Sequence, residues 1–210
     1  MNLFISYLWR DPQIFFAVAI IVIFSVCCHE FVHAFTALKF GDDTAAVRGH
    51  LTLNPFKQMG VFSLVLLALF GLAWGQVPVN PSNLKGKHAY SIVSVSGPLT
   101  NLFLSQFFML LCFTVAALHI DNRFALVMLC YGSALNLMLF ILNMMPIPGL
   151  DGWGILVDFY PQLLLKSSEA VKGTYFVVIA LFFVFFGRIF SLCHGIVLFE
   201  LELLARLFRI

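Results

Sequence analysis

Only 10% of the 210 residues are charged, where a soluble domain carries roughly a quarter. That deficit excludes a water-soluble globule. The apolar fraction is 61% and the mean hydropathy +0.99. The 12 Lys+Arg are spread thinly and leave a net charge of +2, too weak a field for a nucleic-acid partner. The five cysteines are odd in number, lie in apolar segments and include no C-x-x-C pair, which excludes both a disulfide framework and a thiolate zinc site. No long polar tract or Ser/Pro-rich linker interrupts the chain, so residues 1–210 are expected to form a single membrane-embedded domain. The first apolar stretch lacks a basic start and a small-residue cleavage pattern, and is expected to be retained.

What is present is a set of long apolar runs. A hydrocarbon core about 30 Å thick needs about 20 residues of helix, and Gln13–Phe40, Ala89–Leu118 and Phe124–Met145 meet that length. The fold expected is an all-α polytopic helical bundle. Residues 61–74 form an apolar run of only 14 residues. The alternation at 47–53 and the Pro-bounded 77–79 read as extended chain. A re-entrant, β-containing element between the first and second spans is therefore expected, since irregular backbone at membrane depth must be covered. After Thr174, Gly187-Arg188 interrupts the apolar pattern, leaving open two short spans, one kinked helix or an interfacial helix.

Charge favours the same topology. If residues 61–74 return to the side on which the first span ends, that side holds Lys39, Arg48, Lys57, Lys85, Lys87, Lys166 and Lys172, with Arg206 and Arg209 if the tail ends there. Arg10, Arg123 and Arg188 lie opposite. The positive-inside rule makes the richer side cytoplasmic. The location expected is the inner membrane of a prokaryotic cell, with a multi-pass chain.

Within the first span stands His29-Glu30-Phe31-Val32-His33, an H-E-x-x-H pattern on what must be a helix. Histidines four apart share one helix face, so both imidazoles reach one metal ion while the glutamate flanks it. A shuffle of this composition produces the pattern about three times in a thousand. Ionisable groups at bilayer depth cost several kcal/mol each and require a partner, and a divalent cation serves all three. The alternatives are polar residues satisfied by neighbouring helices and a proton or metal relay in a transporter or channel.

A catalytic zinc site takes three protein ligands and an open position. The nearby patterns fail: Thr36 and Lys39 stand where a Gly and a third His would be needed, and no glutamate occurs between Glu30 and Glu169. Asp42 and Asp43 lie in a polar turn, where a solvated or capping role is expected. His119 and Asp121 fall on the opposite side, and His50 and His88 are isolated loop residues. Asp151 differs, because "NMMPIPGLDG" at 143–152 must unwind the third span as it reaches the side of the histidines. It reaches them only if residues 61–74 do not cross.

With "GDDT", "GHLTLNP", "GQVPVNP" and "SGPLTN" in the same order, the chain resembles the site-2 protease family of intramembrane zinc metalloproteases, in its compact group without PDZ or CBS domains. The resemblance runs from about His29 to Gly152. It implies one Zn2+ held by His29, His33 and Asp151, Glu30 as general base, and Asn101 and Asn143 lining the site or engaging substrate. Similar sequences often carry Arg at the place of His50, His and Asp at Gln58 and Gly60, and a second proline at Gly149. The function implied is hydrolysis of peptide bonds in or near transmembrane segments of membrane-tethered proteins, Glu30 taking a proton from a water whose pKa zinc lowers toward about 7. The partners are then a membrane-spanning protein substrate and the lipid bilayer. A homologue that binds membrane partners without cutting is the further alternative, and it predicts that Glu30 is dispensable.

Overall fold

The computed structural model describes the backbone of residues 3–165 and 168–208, and the side chains of these except 164–184 and 186. Lys166 and Arg209, and the side chain of Lys172, lie outside the described residues. The chain divides into two compact units, Met1–Gly86 and Lys87–Ile210. It is an all-α membrane protein, with three helices long and apolar enough to cross a membrane and no strand among the described residues.

The first unit is built on α2 (Pro12–Lys39), which follows the short α1 (Tyr7–Arg10). Asp11 caps α2 by accepting from the Ile14 amide at 3.2 Å, and Pro12 occupies its first position, where a missing N–H costs nothing. After Gly41 the chain makes α3 (Thr44–Val47), α4 (Pro55–Gln58) and α5 (Gly60–Phe70). At 11 residues α5 is about 16 Å long, roughly half the bilayer core. The chain then turns back along it: Ser63 Oγ donates to the Trp74 carbonyl at 2.7 Å and accepts from the Trp74 amide at 3.0 Å, and the Gln76 amide donates to the Gln58 carbonyl at 2.9 Å. The expected re-entrant element is thus a helix with an extended return.

The expected β character is absent from it. Gln58, fully buried, donates through Nε2 to the carbonyls of His50 at 2.8 Å and Thr52 at 2.6 Å, so the 50–54 segment is held by a side chain in place of a ladder. The amide of Asn80, at the end of the other extended stretch, is taken by Asp42 Oδ2 at 2.7 Å.

Of the two roles expected for Asp42, the solvated one does not hold, because it is fully buried, while the capping one does: it also accepts from the amide of Thr44, the first residue of α3, at 3.1 Å, the Thr44 hydroxyl and Asn83 Nδ2 at 3.1 Å. Burial pushes this carboxyl up, but the hydrogen bonds from Thr44, Asn80 and Asn83 outweigh it and hold it below the ordinary 3.8. Because the folded value is the lower one, the stabilisation is fully present above about pH 4 and is lost as pH falls through the folded value. Replacing Asp42 with alanine orphans several donors, and is expected to loosen the first unit by about 2–4 kcal/mol. Hydrogen exchange of the 80–83 amides at pH 7 measures it, and acidifying the wild type below pH 4 should move the same amides in the same direction.

In the second unit, α6 (Ala89–Ala117) and α7 (Arg123–Asn143) form an antiparallel pair, followed by α8 (Asp151–Phe159) and α9 (Ser168–Phe208). Asn122 caps α7 by accepting from the Ala125 amide at 3.0 Å. Small and polar side chains line the α6–α7 seam: Ser105 and Ser133 Oγ atoms are 3.3 Å apart, and Asn101 Nδ2 donates to Asn136 Oδ1 at 3.1 Å. Such residues allow close approach where lipid gives no hydrophobic drive. Met109, Cys112, Ala134, Met138, Cys193 and Val197 pack beside them.

Gly187 does not break the last segment, which is one continuous helix of 41 residues. A single glycine costs a helix only about 1 kcal/mol. The Phe113 and Phe208 rings lie 5.5 Å apart, and Gln106 Nε2 is 3.4 Å from Glu200 Oε2. The carboxyl end of α9 therefore lies beside that of α6. Within this unit Arg206 lies at the end of α6 where Arg123 starts α7, and not at the end that Lys87 precedes.

Candidate metal centre

His29, Glu30 and His33 occupy consecutive turns of α2 and are all buried, at 7%, 8% and 7% exposure. The four-residue spacing brings the two Nε2 atoms to 3.0 Å, with the rings nearly perpendicular at 79° and their centroids 4.6 Å apart. Two nitrogens on one tetrahedral zinc ion, each at 2.0–2.1 Å from it, stand about 3.3 Å apart. The pair thus fits a shared zinc ion to within a few tenths of an ångström.

Glu30 points to the side where the return of the hairpin passes. A Cβ on Gly75 would lie 2.5 Å from Glu30 Oε1 and 2.6 Å from its Cδ. The backbone of the return segment is therefore the wall against which the carboxylate rests. Only a residue without a side chain leaves that room. Sequence reasoning missed Gly75: it appears only inside the motif "GQVPVNP", and nothing local shows which side chain it faces.

Asp151 belongs to the second unit. The 143–152 motif does unwind the chain: α7 ends at Asn143 and Asp151 is the first residue of α8. Asp151 thus starts a new helix and is not a cap on the old one. Gly149, where similar sequences carry proline, has φ +95°, which a proline ring fixed near −65° cannot adopt. This stretch of loop therefore has its own shape here. Asn143, half-buried, is the last residue of α7, while Asn101 is fully buried in the α6–α7 seam and bonded to Asn136.

His50 remains in the loop before α4. His88 has φ +60° at the start of α6, and its Nδ1 lies 3.3 Å from Asp158 Oδ2. Asp158 is the second residue that sequence reasoning passed over.

The chain is 36% identical over 171 residues to "Putative zinc metalloprotease YwhC" of Bacillus subtilis (strain 168), a match covering 78% of each chain. It is 36% identical over 166 residues to "Putative zinc metalloprotease Rip2" of Mycolicibacterium smegmatis, covering 75% of this chain and 62% of that relative. The protein of the same name from Mycobacterium tuberculosis is 35% identical over 160 residues, 70% of this chain and 57% of the relative. The chain thus spans less than two thirds of the mycobacterial relatives it matches. No family model matches the chain, and no solved structure does at a significant level. The two imidazoles and the Asp151 carboxylate are a donor set that suits Zn2+, in keeping with the chemistry of catalytic zinc. The chain is a zinc-dependent metallopeptidase and belongs to the site-2 protease family.

Proposed function

We propose that the chain hydrolyses peptide bonds within or near the transmembrane segments of membrane-tethered proteins, in regulated intramembrane proteolysis. His29, His33 and Asp151 hold zinc, and Glu30 is the general base. The observation that carries this reading is the position of the H-E-x-x-H residues. They lie buried inside a 28-residue helix long and apolar enough to cross a membrane, with His33 six residues from its end, about 9 Å.

Zinc held by these residues would supply a Lewis acid for the scissile carbonyl and would bring the pKa of a water toward neutral. Glu30 accepts the proton of that water as its oxygen bonds to the carbonyl carbon, and gives the proton to the amine nitrogen as the C–N bond breaks. Asn143, next to the loop that leads to Asp151, lines the site. Asn101 contributes from the seam by holding Asn136. The substrate segment must unwind before cleavage, because a helical carbonyl is already bonded within its own helix.

Lys39 ends α2, and Arg48, Lys57, Lys85 and Lys87 lie in the connection from it to α6; the positive-inside rule makes that side, and the site near it, cytoplasmic. The location is the inner membrane of a prokaryotic cell, with the bilayer and a membrane-spanning protein as partners.

The test is cleavage of a single-span reporter protein by the purified chain in lipid vesicles, with fragment ends mapped by mass spectrometry. Cuts within or beside the span, stopped by a chelator and restored by zinc, are the expected result. Zinc-loaded protein that leaves the reporter whole, or cuts only in its soluble domain, would overturn the reading.

A further inference from the structure

Asp151 and Asp158 are seven residues apart on α8, two turns, and so share one face of the helix. Between them on that face lies Gly154. A Cβ there would run into Ser94 Oγ and stand 3.1 Å from Ser94 Cβ and 3.4 Å from Tyr90 Cζ, while one on Gly152 would meet the Met145 carbonyl oxygen at 2.5 Å. Helix α8 therefore lies directly on α6 and on the frayed end of α7.

Asp158 fastens its far end. Its Oδ2 accepts from the Ser91 hydroxyl at 2.6 Å and the Ser91 amide at 3.4 Å, and faces His88 Nδ1 at 3.3 Å. The Ser91 amide is one of the first-turn donors of α6 that have no partner within their own helix, and a carboxylate is favoured at that end. The His88 ring stacks on Phe159, with centroids 4.5 Å apart and 23° between planes. This clamp fixes the rotation of α8 about its axis. Rotation of α8 would swing the Asp151 carboxylate, on the same face, away from a fixed direction.

We propose that Asp158, held by Ser91 and His88, is a positioning residue that aims Asp151 at the metal. The inference rests on the assignment of Asp151 as a zinc ligand. It gives a role in metal affinity to a residue that touches neither metal nor substrate.

The test uses the full chain, purified, with zinc affinity measured by chelator competition and the visible spectrum of the cobalt-substituted protein as a second readout. Asp158→Ala is expected to weaken zinc binding about 10- to 100-fold, the usual effect of losing a group that orients a ligand, and to alter the cobalt bands. Asp158→Asn keeps an acceptor for Ser91 and is expected to recover most of that affinity. Ser91→Ala, which removes one bond only, is expected to cost about three- to tenfold; it carries the test if Asp158→Ala does not fold. Asp151→Ala is measured in parallel. If it loses zinc while Asp158→Ala, or Ser91→Ala in its place, keeps wild-type affinity and cobalt spectrum, the clamp is only structural and the inference falls alone. If Asp151→Ala binds zinc like wild type, the ligand assignment falls and the inference with it.

Discussion

Glutamine at position 30 is expected to lower turnover by about a hundred- to ten-thousand-fold, the range for a lost general base, while zinc content stays at the wild-type level. The substitution keeps the volume and nearly the shape of the glutamate, so its packing against Gly75 survives. The imidazoles of His29 and His33, on the same face of α2, are untouched. What disappears is the ability to accept a proton. Turnover of a single-span reporter and metal analysis on the same preparation check it. Equal cutting by both proteins would remove Glu30 from the chemistry, and zinc loss in the variant would mean that it had a structural role instead.

Valine at position 75 is expected to cost about 100-fold in turnover with little change in zinc binding or stability, and alanine somewhat less. Carbon atoms in contact settle about 3.5–4.0 Å apart, so a Cβ at 2.6 Å from Glu30 Cδ demands a movement of about 1 Å. The return segment is pinned on both sides, through Trp74 to Ser63 and through Gln76 to Gln58. The mobile partner is the Glu30 side chain from Cγ outward, Cγ being the atom that the added Cβ meets first, and it can swing away with less cost to the fold than the pinned backbone. A displacement of about 1 Å in a catalytic group is enough for a 100-fold loss. Wild-type turnover in Gly75→Val would show that the return segment gives way and that the glutamate is aimed by something else.

The spans were legible because bilayer thickness sets a length that needs no knowledge of neighbours. Gln13–Phe40, Ala89–Leu118 and Phe124–Met145 match Pro12–Lys39, Ala89–Ala117 and Arg123–Asn143 to within two residues at each end. The H-E-x-x-H face was legible for the same reason, as helical period alone joins His29 to His33. The unwinding at 143–152 followed from its prolines. The hairpin between α4 and α6 was legible in length, but its internal bonding was not. Extended stretches at 50–54 and 77–80 look alike whether a strand or a side chain satisfies them, and here Gln58 and Asp42 do so.

Gly75 and Asp158 were hidden by sequence distance. Gly75 matters through Glu30, 45 residues earlier, and Asp158 through Ser91, 67 residues earlier. Pattern reading along the chain has no access to either pairing. The side on which α9 ends was left open by the sequence for a related reason. Its side is decided by Phe208 against Phe113 and Glu200 near Gln106, not by the composition of the tail.

One Zn2+ held by His29, His33 and Asp151 is the proposal on which the other expectations depend. Zinc per chain, counted by elemental analysis of the purified wild type and of Asp151→Ala, addresses that directly. About one ion in the wild type and a small fraction of that in the variant is the predicted result. A variant that retained a full equivalent, or a wild type that held none after purification in zinc, would contradict it.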